Sequence, residues 1–397
     1  MVSRRRFLGY SAAALTSPFW AQAVSAPFAS AAPETLKFVL QNNSGGPATA
    51  YIAGFSDAEK KAVFIRKDGS PYFPEAGGSE PQPVGPEAGI PVDGTVEVNV
   101  PRMYGSRLYF GLNNELEFKV VKGADGTTSV VHPNFTDTND PNYGKDWTFA
   151  EFTLNAEQLY ANISYVDFVA APVGLHLKTT GSGEQDVPGL PTGAMDKVAD
   201  GLRKQGGSWG KLVQEANGKV VRVLSPIHMA ADFEGYMEPY VDQVYSKYQG
   251  ETLRLDTQRP DLGVLEGKVE GEEFVIGNER YAKPSTNDIF GCNSGPFANN
   301  PGSDSQERLA SVPRLAAAFN RTTLHINPDQ PAKEDPKTFY KNDITNHYAR
   351  VVHENLPDGK GYAFAYDDVS SNAGEDHSGK VNAGDPEVLT VTLNALR

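Results

Sequence analysis

Val96-Glu97-Val98-Asn99-Val100 alternates strictly between apolar and polar residues. Its three valines therefore leave one face of a strand and its polar residues the other. It belongs to a series of such segments between Leu36 and about Leu175, each ended by turn residues, and that punctuation confines the region to a β architecture. Leu36 to Gln41 is apolar and runs into the turn cluster Asn42-Asn43-Ser44-Gly45-Gly46. Leu108 to Phe110 and Glu115 to Val120 continue the pattern, and residues 74–94, rich in proline and glycine, read as a loop. The 39 glycines and 28 prolines among 397 residues suit many turns without reaching the level of a disordered chain.

From about residue 176 the pattern changes. Ala194 to Gln205 reads as a helix. Phe233, Tyr236, Met237, Tyr240, Val241, Val244 and Tyr248 recur at helical spacing, with Asp232 a candidate N-cap and Pro239 expected to kink or split the helix. Thr252–Leu255 and Glu273–Ile276 read as strands. Ser305 to Asn320 is helical, with Pro313 breaking or kinking it. Thr345 is a candidate cap for a helix through Leu356, and a final β section holds Gly361–Tyr366 and Leu389–Leu393. β-rich ends thus enclose an α/β middle, without internal repeats.

A net charge of −14 argues against nucleic acid and anionic membranes as partners and is compatible with a neutral polysaccharide. Ser3-Arg4-Arg5-Arg6-Phe7-Leu8 followed by an alanine-rich apolar stretch resembles a twin-arginine export signal, with cleavage after Ala31 favoured. Residues 1–31 are therefore read as a signal peptide and the mature protein as secreted or periplasmic. Cys292 is the sole cysteine, so no intramolecular disulfide forms, and its context suits a structural thiol.

Glu151 and Asp167 occupy two successive strand-like segments. Glu151, Thr153 and Asn155 are expected to share one face of the first, and Tyr165, Asp167 and Val169 alternate along the second. A carboxylate pair across a groove is the minimum equipment for splitting a glycosidic bond. Phe149, Phe152 and Phe168 are candidate apolar neighbours for a carboxyl that must hold its proton. His347 and His353, six apart, do not share a helix face as a metal-binding His-x-x-x-His pair does, and no metal or other cofactor is expected.

Phe149-Ala-Glu-Phe-Thr-Leu-Asn155, Tyr165-Val-Asp-Phe-Val-Ala-Ala-Pro172, Ala318-Phe-Asn-Arg-Thr-Thr-Leu324, Thr345-Asn-His-Tyr-Ala-Arg-Val-Val-His353 and Gly361-Tyr-Ala-Phe-Ala-Tyr-Asp-Asp368 resemble, in order, blocks of glycoside hydrolase family 64. These are β-1,3-glucanases of the laminaripentaose-producing type. The resemblance implies a mainly β protein with an α+β part. A thaumatin-like β-barrel or sandwich domain (33–175 and 335–397) and a mixed α/β domain (176–334) would form a crescent with a wide groove. It further implies β-1,3-glucan hydrolysis by inversion, releasing short laminari-oligosaccharides, with Glu151 as general acid and Asp167 as general base. Thr153, Asn155, Asp140, Tyr160 and Asp368 match groove positions, and a monomer is the default state. Tyr160 stands where relatives carry tryptophan. Ala316 replaces the cysteine that in relatives pairs with the one matching Cys292, and the stretch from Ser370 to Asp385 also departs from the family. The alternative on the same scaffold is a non-catalytic β-1,3-glucan-binding thaumatin-like protein, which needs neither carboxylate.

Overall fold

The structure, a computed structural model, describes residues 31–371 and 378–397. The signal-peptide reading, apart from Ala31, lies outside the described residues. Two β-sheets packed face to face dominate the molecule. The first has the strand order Glu184–Val187, Val173–Thr179, Pro386–Asn394, Thr35–Asn43, Thr95–Pro101. Thr35–Asn43 and Pro386–Asn394 pair in parallel, and the other neighbours are antiparallel. The second runs Lys380–Ala383, Leu159–Asn162, Trp147–Leu154, Met103–Leu112, Ala48–Ser56, Ala62–Ile65, Pro71–Tyr72, with Ile90–Val92 also paired to Ala48–Ser56.

Alternation along the strands builds the core between these sheets. Leu36, Phe38 and Leu40 from one sheet meet Ala150, Phe152 and Leu154 from the other, and the Phe38 and Phe152 rings stand edge to face at 4.9 Å. The opposite face of the second sheet is also covered. Tyr51, Phe64, Tyr109, Phe118, Trp147, Phe149 and Phe168 form a separate aromatic cluster there. The strand Trp147–Leu154 is thus apolar on both faces up to Glu151, which takes a place in the row of Trp147 and Phe149.

A further sheet has the order Glu279–Tyr281, Glu273–Ile276, Val264–Glu270, Leu253–Asp256, Asp329–Gln330, and the helix Glu238–Gly250 packs on it. Phe168–Val169, Lys219–Leu224 and Val213–Ala216 form a small sheet of their own. The helix Ala194–Gln205 lies where its periodicity places it.

Several local expectations are corrected. Pro239 neither kinks nor splits a helix: the helix starts at Glu238, so the proline sits in the first turn, where its missing N–H has no intrahelical partner to lose. Asp232 caps nothing and lies in the 3-10 segment Pro226–Phe233. The helix Gln306–Arg321 runs on through Pro313, because burial of Val312 to Arg321 outweighs the local cost of the proline. Asn346, not Thr345, caps the helix His347–Asn355, its side chain accepting from the Ala349 amide. Gly361–Tyr366 is no strand. Its backbone turns around the buried Asp367, which accepts from the Ala363 amide at 3.0 Å. The loop expected over 74–94 contains the short strands Gln82–Pro83 and Ile90–Val92.

Candidate active site

Glu151 sits between two neighbours in register, Arg107 on Met103–Leu112 and Asn162 on Leu159–Asn162. Just past this point the pairing of the Arg107 strand shifts register with both of its partners. Gly54 permits the close approach there, since a Cβ on it would come within 2.9 Å of the Ser106 Cα. Arg107 Nε and Nη2 each lie 3.1 Å from Glu151 Oε1. Nη2 is also 3.8 Å from Asp167 Oδ2. The two oxygens flanking this one nitrogen are therefore at most about 7 Å apart, within reach of one scissile bond and one water. The guanidinium rests over the Phe149 ring, 4.4 Å from its centroid. Glu151 and Asp167 keep 28% and 27% of their side-chain surface exposed, which leaves both open to a ligand.

Asp167 reaches this place by a route that the alternation of Tyr165, Asp167 and Val169 does not describe. The strand is only Phe168–Val169, paired with Lys219–Leu224, and Asp167 lies in the bend before it. Tyr165 is drawn into the core instead. Its amide donates to Tyr362 O at 2.7 Å, its carbonyl accepts from Tyr348 Oη at 2.6 Å, and its hydroxyl accepts from the Leu190 amide at 3.0 Å. The carboxylates thus come from a strand of one sheet and from the bend leading into another, rather than from neighbouring strands.

Asp167 is clasped by residues 225–228. Its carbonyl accepts from the Ser225 amide at 2.9 Å, and its Oδ1 lies 3.0 Å from His228 Nε2. Burial pushes its carboxyl up, but the His228 hydrogen bond and charge, with Arg107, outweigh burial and hold it below the ordinary aspartate value. Arg107 is likewise buried against its charge, yet Tyr109, Glu151 and Asp167 raise it further above the usual arginine value. Behind Arg107, Tyr109 Oη is 3.0 Å from His132 Nδ1, and burial, then Arg107, push His132 down to about 3, so this imidazole is neutral.

The expected groove residues are placed as follows. Thr153 Oγ1 accepts from the Gly105 amide at 3.3 Å and lies across from Tyr160. Tyr160 Oη meets Tyr362 Oη at 3.0 Å. Asn155 lies just past the strand end, and its Oδ1 accepts from the amides of Glu157 and Gln158 at 2.9 and 2.8 Å. Asp140 Oδ1 accepts from the amide and side chain of Asn142 at 2.8 and 3.0 Å, closing a turn. Asp368 is half-buried, whereas its neighbour Asp367 is buried and bonded to Arg321 and His353. Phe149 and Phe168 lie in the aromatic cluster beneath the site, but Phe152 points to the opposite, core face, as strand alternation requires.

Arg107 and His228 were missed by sequence reasoning. Tyr109 and Arg107 alternate on one strand, but only the register places Arg107 opposite Glu151. His228 lies in the irregular Pro226–Phe233 segment, where no periodicity marks it. His347 and His353 spend their nitrogens on Asp343 O, Arg350, Gly359 O and Asp367. Among the described residues no group of three or more His, Cys, Asp or Glu is arranged to hold a metal.

Comparison with known proteins adds to this geometry. The sequence profile of the β-1,3-glucanases of glycoside hydrolase family 64 matches residues 34–393. The chain is 30% identical over 417 residues to a glucan endo-1,3-β-glucosidase of Arthrobacter sp. (strain YCWD3), covering 99% of this chain and 71% of that protein. The enzyme of the same description from Cellulosimicrobium cellulans matches with the same identity and coverage. Among solved structures, a laminaripentaose-producing β-1,3-glucanase in complex with laminaritetraose superposes with a TM-score of 0.81 at 30% identity, over 92% of this chain and all of that one. A β-1,3-glucanase domain from Clostridium beijerinckii shares the fold, with a TM-score of 0.74 at 22% identity over 91% and 98% of the two chains.

Proposed function

The chain belongs to glycoside hydrolase family 64, the β-1,3-glucanases, and we propose that it cleaves its glucan by inversion, Glu151 protonating the leaving oxygen and Asp167 activating the attacking water. It is a glycoside hydrolase of the glucan endo-1,3-β-glucosidase type. The observation that carries the pairing of the two residues is the position of Arg107, within 3.1 Å of one carboxylate and 3.8 Å of the other, which holds both carboxyls at one place. Asp167, held below its ordinary value, is ionised at neutral pH and ready to accept a proton. Arg107 occupies Oε1 of Glu151, which leaves Oε2 as the oxygen through which the proton is delivered. The water's oxygen bonds to the anomeric carbon as the glycosidic C–O bond breaks. One water proton passes to Asp167, and the Glu151 proton passes to the departing sugar. Both carboxyls, partly exposed, then exchange protons with solvent.

Thr153, Asn155, Asp140, Tyr160 and Asp368 are read as sugar contacts along the groove, offering neutral donors, carboxylates and one ring for stacking. Short laminari-oligosaccharides are the proposed products, in keeping with the laminaripentaose-producing relative. The division into a thaumatin-like β domain (33–175 and 335–397) and a mixed domain (176–334) with the groove between is part of the same reading. It is supported by the pairing of Thr35–Asn43 with Pro386–Asn394, and by a sheet drawn wholly from residues 253–330. Export by the twin-arginine route rests on Ser3 to Leu8, and among the described residues no helix is long and apolar enough to cross a membrane.

The test is sugar release from linear β-1,3-glucan by the mature chain beside Glu151→Gln and Asp167→Asn. Loss of release in both variants with glucan binding retained is expected. Undiminished release by either variant removes that residue from its role.

A further inference from the structure

We propose that His228 is a positioning residue for the hydrolysis, fixing Oδ1 of Asp167 so that Oδ2 is the atom that receives the proton from the attacking water. The inference rests on the reading of Asp167 as the base. Nε2 of His228 lies 3.0 Å from Oδ1, and an ionised carboxylate has no proton to give, so this nitrogen carries the hydrogen and donates it. Oδ2 is 3.8 Å from Arg107, too far for a hydrogen bond, and so keeps its lone pairs for water.

The clasp is built to resist rotation of the carboxylate. The Ser225 amide holds the Asp167 carbonyl at 2.9 Å, and the His228 amide returns to Ser225 O at 3.1 Å. One short turn, opened by Pro226, therefore grips both the backbone and the side chain of Asp167. The imidazole is itself braced. Phe135 stands edge to face against it at 4.8 Å, and Phe135 packs at 4.9 Å on Phe168, the residue that follows Asp167. Histidine, Phe135 and Phe168 thus enclose the base on one side, as an oriented outer partner does for a catalytic group.

The charged and titratable groups around Asp167 come from each element packed against it. Arg107 and Tyr109 approach from Met103–Leu112, with Glu151 beyond Arg107 on the adjoining strand. His228 approaches from Pro226–Phe233, and Tyr348 from His347–Asn355, its hydroxyl donated to Tyr165 O. Removing His228 takes away its hydrogen bond and leaves Arg107 to oppose burial, so the Asp167 carboxyl moves up.

The experiment measures kcat and KM against pH for the mature chain and for His228→Ala, His228→Gln, His228→Phe and Asp167→Asn on linear β-1,3-glucan. The acid limb of kcat is expected to move to higher pH in His228→Ala. At neutral pH its kcat falls by about 10- to 100-fold, while KM changes much less. His228→Gln, which restores an N–H donor, recovers part of the loss. Where the alanine variant does not fold, His228→Phe keeps the packing on Phe135 without a donor and is expected to show the same displacement. An inactive Asp167→Asn beside an unmoved acid limb in the His228 variants overturns the inference. An active Asp167→Asn overturns the assignment of the base itself, and the two failures are thereby told apart.

Discussion

Arg107 stands directly across the strand pair from Glu151 and directs both Nε and Nη2 at the same carboxylate oxygen, each at 3.1 Å. The guanidinium is planar and braced on Phe149, so the Nε hydrogen bond and the Nη2 ion-pair contact are held in fixed geometry. A lysine supplies one point charge and no fork. Charge-assisted hydrogen bonds are worth about 1.5–3 kcal/mol each. Arg107→Lys is therefore expected to lower kcat/KM by roughly 10-fold or more, and Arg107→Met by 100-fold or more. Kinetics on soluble β-1,3-glucan check this, and a lysine variant of full activity contradicts it.

Asn155 has two separable ends. Its Oδ1 holds the turn through Glu157 and Gln158, while its Nδ2 is the end that, in the proposed function, donates to a sugar hydroxyl. Asn155→Asp keeps the turn acceptor and loses the donor, whereas Asn155→Ala loses both. The aspartate variant is expected to melt near the parent temperature with weakened glucan binding. The alanine variant is expected to be less stable as well, by about 1 kcal/mol. Isothermal titration and thermal melts separate the two effects.

His353 and Asp367 form a buried pair, His353 Nε2 to Asp367 Oδ2 at 2.7 Å, with Arg321 on the other oxygen at 3.1 Å. Burial lowers the His353 value, but the Asp367 charge and hydrogen bond outweigh it and the net shift is upward. Burial raises Asp367, but His353 and Arg321 outweigh it and the net shift is downward. The histidine contribution to stability is thus complete below about pH 6.5 and lost as pH rises through its folded value. The aspartate contribution is complete above about pH 4 and lost as pH falls through its own. Wild type is expected to exceed His353→Gln in Tm most between these limits, with the gap narrowing above pH 6.5. A gap that does not change with pH contradicts the pairing. Arg321→Met, which strands Asp367 and Glu334 without their shared cation, is expected to cost about 3–5 kcal/mol in urea unfolding.

Cys292 is buried beside Asn320, and burial pushes its thiol up to about 12. It is expected to resist thiol reagents in the native protein and to react fully in denaturant. Rapid native labelling contradicts this placement.

The helices and strands with clean periodicity were legible in the sequence, as at Ala194–Gln205 and Glu273–Ile276, because burial on one face imposes the pattern. Gly361–Tyr366 misled because its aromatic spacing serves a turn wrapped around buried Asp367, where side-chain hydrogen bonds replace a ladder. That Glu151 and Asp167 lie together was expected from strand alternation and from family resemblance. Their partners were not. Arg107 is an ordinary strand residue until register sets it opposite Glu151, and His228 is delivered by a turn whose geometry no spacing encodes.

In the proposed reaction water displaces the leaving sugar in a single step between Glu151 and Asp167. Proton NMR of the first minutes of hydrolysis of linear β-1,3-glucan reads the anomeric form of the new reducing ends directly. α-Anomers are expected first, with β-anomers growing in only by mutarotation, and the signal is expected to be lost in Glu151→Gln and Asp167→Asn. β-anomers from the outset mean a covalent glycosyl intermediate and contradict that single step.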